Sequence, residues 1–424
     1  MTHVGRETML TNHTPNSAHI AIVGAGLSGS LAAVVLARAG YRVTLIDKNA
    51  VCPKQFRVEK IAGSQVDLMR KLGVFGPVAD EATLFRDIIN VRAGRIVDRT
   101  QNPHFGILYD DIVRIVRAQL PASVDFLVDD VRDIQTGSQT QCLSLANNGP
   151  IMPDLIILAT GMVDSLRHKV GIGRRMVAEK QSISFGFTLA PENERAPAFQ
   201  AITYYGAGDS NRIDYLNIFP IAGHLRANLF TFLDQDDPWI REFRQNPIAE
   251  LCNALPGLAG FVGAMKPVDR VQSWVMNLSV AENVDQDGVV LIGDAFQTSC
   301  PAAGTGVTRL LTDIDRLCNV LIPRWSRHPG WERTRSRSSI PIRSNKRLIA
   351  RPCTWPDIDA RSRSIAACDG NFIVDSTSCA GASRATSIRR QRVSSPRRIM
   401  WKPADVRIRR PSRATSDRWI LPWL

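Results

Sequence analysis

Three glycines near the start of the chain stand at a spacing that serves phosphate binding. The stretch Gly24-Ala25-Gly26-Leu27-Ser28-Gly29 has the form G-x-G-x-x-G. In such a turn Gly24 permits the tight reversal, and Gly26 lets the backbone approach a pyrophosphate. Gly29 lets the following helix pack closely on the preceding strand. The helix N-terminus then offers free N–H groups and a positive dipole end to the phosphates. Asp47, followed by Lys48, lies 18 residues after Gly29. Its carboxylate is placed to accept hydrogen bonds from an adenosine ribose. By itself this set serves FAD or NAD equally.

A second group of residues, far along the chain, chooses between the two. The run Gly288-Val289-Val290-Leu291-Ile292-Gly293-Asp294-Ala295 reads as a buried strand ending in Gly-Asp, and Pro301, Gly304, Thr305 and Gly306 follow before an amphipathic helix. A flavin needs this arrangement. Asp294 can bond a ribityl hydroxyl, the turn brings backbone N–H groups against the isoalloxazine, and the helix N-terminus can stabilise negative charge on the reduced ring.

With both motifs in place, residues 19–322 resemble the class A flavoprotein monooxygenases, typified by para-hydroxybenzoate hydroxylase. The late motif of that family, G-D-A-A-H-x-x-x-P-x-x-G-x-G, corresponds to Gly293–Gly306 here, with Phe296-Gln297 replacing Ala-His. The resemblance implies three further expectations. Gly161, after the apolar run Leu155–Ala159, and Arg167 stand where the family has a motif shared by FAD and the nicotinamide donor, although Thr160 replaces its Asp. Arg57 corresponds to an arginine that contacts the FAD phosphates, a task suited to a guanidinium. Tyr109 stands where the family often has Arg, so that contact is not carried over. The activity implied is reduction of FAD by NAD(P)H, activation of O2 on the reduced ring, and hydroxylation of a small-molecule substrate. A halogenase or prenyl-chain reductase on the same fold is the alternative, though the W-x-W-x-I-P motif of halogenases is missing from the chain. A product inactivated by a damaged C-terminus is another. No residue declares itself as the catalytic base. His224, Tyr204, Tyr205, Tyr215 and Cys300 are the candidates for a role near the substrate, each equally readable as turn or core.

These motifs require a particular scaffold. Ile20–Val23 reads as a buried strand, Leu31–Arg38 as a helix closed by Gly40, and Tyr41–Ile46 as a second strand. Residues 60–75 and 109–120 are expected to be amphipathic helices, 124–146 and 154–159 strands. Alternation from 182 to 235 predicts a sheet, followed by a helix over 238–256 and a strand over 268–280. The expected fold class is α/β: a Rossmann-like FAD-binding domain with an inserted mixed-sheet substrate lobe and a disordered basic tail. The FAD-binding domain would comprise 19–175 and 281–323, with part of 76–105 joining a substrate lobe at 176–280. Residues 1–18 would be a disordered leader.

The chain has 424 residues, 44% of them hydrophobic, with a net charge of +13. That charge is not evenly spread. Up to Pro323 there are 30 Lys/Arg against 33 Asp/Glu, and from Arg324 onward 23 against 7. A slightly acidic folded part argues against nucleic acid as its partner. The segment 324–424 holds 21 Arg and only 3 Leu, without helix or strand periodicity. It is expected to be disordered; one reading is a natural basic tail that binds an acidic partner, and the preferred one, suggested by its abrupt onset, is out-of-frame translation of an original C-terminal region. No apolar run reaches the ~20 residues of a membrane helix, and no secretory signal is visible. The eight cysteines are scattered, without a C-x-x-C pair. Together these features suggest a cytoplasmic protein without a metal centre.

Overall fold

The computed structural model describes residues 18–192, 199–206 and 212–326. The expectations for residues 1–17 and for the basic segment from 327 onward lie outside the described residues.

The chain opens with β1 (His19–Val23), α1 (Leu27–Arg38) and β2 (Arg42–Asp47). Next come β3 (Lys60–Ala62), α2 (Ser64–Lys71), α3 (Phe75–Glu81), β4 (Thr83–Arg92), β5 (Arg95–Gly106) and α4 (Tyr109–Ala118). β6 (Val124–Val128), β7 (Val131–Gln135), β8 (Cys142–Leu145), β9 (Leu155–Leu158) and α5 (Ser165–Lys169) lead into the long β10 (Gly173–Pro191). Then follow β11 (Ala201–Tyr205), β12 (Ile213–Ile221), β13 (His224–Thr231), α6 (Pro238–Gln245), α7 (Pro247–Ala254) and α8 (Ala259–Val262). β14 (Met265–Pro267), β15 (Gln272–Glu282), β16 (Val289–Leu291), α9 (Thr305–Arg316) and α10 (Ile322–Trp325) complete the described fold, with a π-helical turn over Leu317–Leu321 between the last two helices.

Two sheets organise these elements. The first is parallel, in the order β16-β9-β1-β2-β6. β1 and β9 are buried along their whole length, which explains their continuous apolar sequences. β1, α1 and β2 form a βαβ unit. Inside it Gly24 has φ +101°, a conformation that L side chains rarely adopt. A Cβ at Gly29 would fall 1.8 Å from the Gly24 carbonyl oxygen. The second sheet has nine strands, in the order β14-β10-β13-β12-β11-β4-β5-β3, with β15 also pairing with β10. One of its faces is covered by α6–α8, whose Ile240, Phe243, Leu251, Leu255 and Leu258 pack on Phe185, Phe187, Leu216, Ile218 and Leu229. The opposite face forms the wall of a cavity.

Several element expectations are corrected. Residues 60–75 are not one helix: Lys60–Ala62 pairs with β5, and Gly63 at φ +51° separates that strand from α2. The span 238–256 is two helices, because Pro247 has no N–H to continue the first. The strand expected over 268–280 runs from Gln272 to Glu282, beside the separate β14. Arg324 and Trp325, read as the first residues of the tail, close α10, with Trp325 only 2% exposed.

Candidate active site

A continuous cavity of about 960 Å³ begins at the glycine turn and ends under the nine-stranded sheet. Its walls bring together residues that are far apart in the chain. Gly24, Gly26, Leu27, Ser28, Asp47, Lys48, Arg57, Gly161, Asp294, Pro301, Gly304 and Gly306 all line it. Three of the expected site residues stand back from the wall. Ala25 is fully buried and donates its N–H to Asp47 Oδ2 at 2.7 Å. Gly29 packs behind the turn, and Thr305 opens α9 with its side chain exposed.

The glycine turn is braced from two sides. Asp47 Oδ1 accepts from Asn49 N–H at 2.8 Å, so the carboxylate joins the end of β2 to the turn. The Arg117 guanidinium, on α4, donates from Nε to Ala25 O at 2.9 Å and from Nη1 to Ala50 O at 2.8 Å. Tyr109, at the start of α4, places its hydroxyl oxygen 3.3 Å from Leu27 N–H. A Cβ at Gly26 would also lie 3.3 Å from that oxygen. Close approach at Gly26 is therefore already used by a polar atom. Burial pushes the Tyr109 hydroxyl pKa above its ordinary value, so it stays protonated.

Arg57 and Asp294 face each other across the cavity at 3.1 Å. The Arg57 guanidinium also stacks over the Trp274 ring, 4.4 Å from its centroid. Arg309, on α9, approaches the other Asp294 oxygen at 3.4 Å and donates to Ser299 at 2.5 Å. Asp294 thus lies between two guanidiniums, Arg57 and Arg309. Burial pulls the Arg309 pKa down, and Asp294 opposes that shift. Gly304 takes φ +62° at the turn into α9, the left-handed region that glycine favours.

These features fit the cofactor that the sequence resemblance implies. The glycine turn leaves no room for a Cβ at Gly24 or Gly29, Asp47 is fixed beside it, and Asp294 with the Pro301–Gly306 turn lines the same cavity.

The inner face of the nine-stranded sheet forms tiers. Asn90, Thr203, Asn217 and Asn228 are direct cross-strand neighbours on four adjacent strands, so their side chains share one face. Thr203 donates to Asn217 at 2.9 Å and Asn90 to Thr100 at 3.2 Å. The next tier holds Tyr205, Tyr215 and Phe230. Tyr215 donates to Ala302 O at 2.9 Å, which ties the sheet to the Pro301–Gly306 turn. Among the described residues, four buried polar atoms on the cavity wall have no hydrogen-bond partner: Ser184 Oγ, Asn228 Oδ1 and both ring nitrogens of His104. Burial pulls the His104 pKa down to about 3, so the ring is neutral. Buried polar groups of this kind ordinarily find partners, and a polar substrate would supply them.

Beneath this face lies a buried ion pair. Arg226 donates to both oxygens of Glu59, at 2.8 and 2.9 Å, and to Asp269 at 3.2 Å and Gln272 at 2.6 Å. Burial raises the Glu59 pKa, and Arg226 opposes the rise.

The remaining expected residues divide by position. Tyr205 and Tyr215 line the cavity, whereas Tyr204 points into the opposite core, where it bonds Pro256 O and Gly94 N–H. His224 is exposed at a tight turn after Ala222 and Gly223, both with positive φ. Arg167 is buried against Asp164 and Ala295 O rather than facing the cavity. Thr160 bonds Val163 O in the same loop. Cys300 also lines the cavity and is buried beside Ser182. Sequence reasoning missed Asn90, His104, Asp214, Asn217 and Asn228, all on the cavity wall. Polar residues at alternate positions of β12 and β13 were the available signal, but which face was inward depends on sheet pairing.

Comparison with known proteins adds to this geometry. A family described as FAD binding domain matches residues 17–325. A flavin-dependent monooxygenase from Legionella longbeachae is 25% identical over 173 residues, covering 38% of this chain and 42% of that protein. The 3-demethoxyubiquinol 3-hydroxylase of Escherichia coli is 24% identical over 348 residues, covering 75% of this chain and 83% of that protein. The chain spans only 42–44% of the length of the first curated relatives it matches. Among solved structures, p-nitrophenol 4-monooxygenase from Pseudomonas putida superposes with a TM-score of 0.64 at 16% identity, over 83% of this chain and 93% of that one. The flavin-dependent brominase Bmp2 gives 0.58 at 16% identity, over 83% and 99%. At such identities these structural likenesses speak to the fold.

Proposed function

The chain belongs to the FAD-binding-domain family, the class A flavoprotein monooxygenases, and on that premise we propose that it hydroxylates a small organic substrate using NAD(P)H and O2. The observation that supports this reading is the single cavity that runs from the glycine turn and Asp47, past Asp294, to a polar-lined chamber under the sheet.

When bound, FAD supplies the electron storage and oxygen activation that side chains lack. The protein's share is placement. The α1 N-terminus at Gly24–Gly29 would receive the pyrophosphate, with Arg57 as its counter-charge, and Asp47 the adenosine ribose. Asp294 would take the ribityl chain, while the Pro301–Gly306 turn and the start of α9 would meet the isoalloxazine. Asn90, Asn217 and Asn228 would orient the substrate, and the aromatic tier of Tyr205, Tyr215 and Phe230 would keep water from the reacting ring. Five free cysteines among the described residues, and no described helix long and apolar enough to cross a membrane, suit the cytoplasmic location we infer.

Purified protein should be yellow and release FAD on denaturation. It should oxidise NADH or NADPH faster when phenols are added, with O2 uptake and a hydroxylated product. Failure to take up flavin would sink this reading.

A further inference from the structure

The cavity wall contains a β-bulge whose effect is to turn one carboxylate inward. Ile213 pairs with Thr231, and Tyr215 with Phe230, so β12 uses two residues where β13 uses one. Along β12, Tyr215, Asn217 and Phe219 line the cavity, while Leu216 and Ile218 enter the core under α6–α8. Strict alternation would send residue 214 to that apolar core and Ile213 to the cavity. The bulge reverses this order: Ile213 joins the apolar core, and Asp214 lines the cavity next to Tyr215. Bulges commonly re-aim a side chain in this way beside functional sites.

We propose that Asp214 accepts a hydrogen bond from a hydroxyl or amino group of the substrate and so fixes its orientation beside the flavin turn. This rests on the monooxygenase reading above. The position suits the task, because the neighbouring Tyr215 hydroxyl bonds Ala302 O of that turn at 2.9 Å. Among the described residues, Arg92 at the end of β4 and Tyr215 beside it interact electrostatically with Asp214, and Tyr205 on β11 and Cys300 interact with Tyr215. Burial raises the Asp214 pKa to about 6, and Arg92 opposes the rise. Above that pH the group is a carboxylate and accepts from a donor; below it the group carries its own proton and its accepting power falls.

The test uses the flavin-loaded protein, with ligand binding read from the flavin absorbance. Phenol, catechol and aniline are compared with their O-methyl or N,N-dimethyl analogues between pH 5 and 8. The expected result is that donor-bearing probes bind more tightly than methylated ones, and that their affinity declines as the pH falls through about 6. Asp214→Asn should weaken donor binding by roughly tenfold or more, the scale of a hydrogen bond to a charged group. It should leave the methylated analogues within about twofold and abolish the inflection, whereas Asp214→Glu should retain it. Equal binding of both probe classes, equal weakening of both in Asp214→Asn, an inflection that persists in that variant, or no response to any donor probe overturns the proposal. A protein that takes up no flavin overturns the underlying monooxygenase reading as well, which separates the two failures.

Discussion

At the scale of single residues, the glycine turn was legible because its requirements are local. A residue with φ +101° and a neighbour whose Cβ would fall 1.8 Å from a carbonyl oxygen leave few alternatives to glycine. Gly29→Ala is expected to cost about 1–3 kcal/mol or more through backbone displacement and to abolish FAD retention, measured by denaturant unfolding and flavin release. Asp313 makes a different prediction, one invisible in the sequence. Burial lifts its carboxyl pKa to about 6 from an ordinary 3.8. A raised folded-state pKa contributes stability that is complete below about 4 and lost as the pH rises through about 6. Asp313→Asn lacks this dependence. Between pH 4.5 and 8 its stability relative to the parent protein should improve by on the order of 2 kcal/mol, read from denaturation midpoints. Asp214, in contrast, could not be placed from sequence, since its direction depends on a bulge in its own strand, β12, that shows only in the pairing with β13.

At the scale of elements, most strands and helices followed from apolar periodicity, and the misreadings share a cause. Ile61, Val66, Met69 and Leu72 keep a helix-like spacing across Gly63, so a three-residue strand was absorbed into the helix beyond it. Its true role, pairing with β5, is a long-range contact that no local pattern records. Phe243 on α6 holds the nine-stranded sheet from behind. Its ring meets Phe185, Phe187 and Trp239 at centroid distances of 5.1, 5.9 and 4.8 Å. Phe243→Ala should lower stability by about 3–5 kcal/mol, in thermal or chemical denaturation. A flavin-binding end that survived with its affinity intact would show that α6 supports only the sheet.

At the scale of the molecule, the change in charge balance at Arg324 falls beside the end of the matched family segment, at residue 325. Composition placed Trp325 in the basic segment, whereas the structure packs it into the core around β1 and α1. It is buried against the first core, and Ser326 bonds Tyr41 at 3.0 Å. Trp325→Ala is therefore expected to destabilise the protein by about 3–5 kcal/mol, as measured by the melting temperature. The buried Arg226–Glu59 pair works at this scale too, since it joins the loop before β3 to the middle of the substrate sheet. Arg226→Met should cost about 3–5 kcal/mol by leaving Glu59 uncompensated, and adding Glu59→Gln should recover much of that loss in the same unfolding experiment. One wall contact reaches further. Tyr215 on the nine-stranded sheet is bonded to Ala302 on the Pro301–Gly306 turn, so the two parts of the cavity wall are in direct contact. Any bias that occupancy of one part exerts on the other is returned by the same factor. A substrate mimic should slow the loss of flavin from the protein, and a preparation stripped of flavin should have lost its preference among substrates.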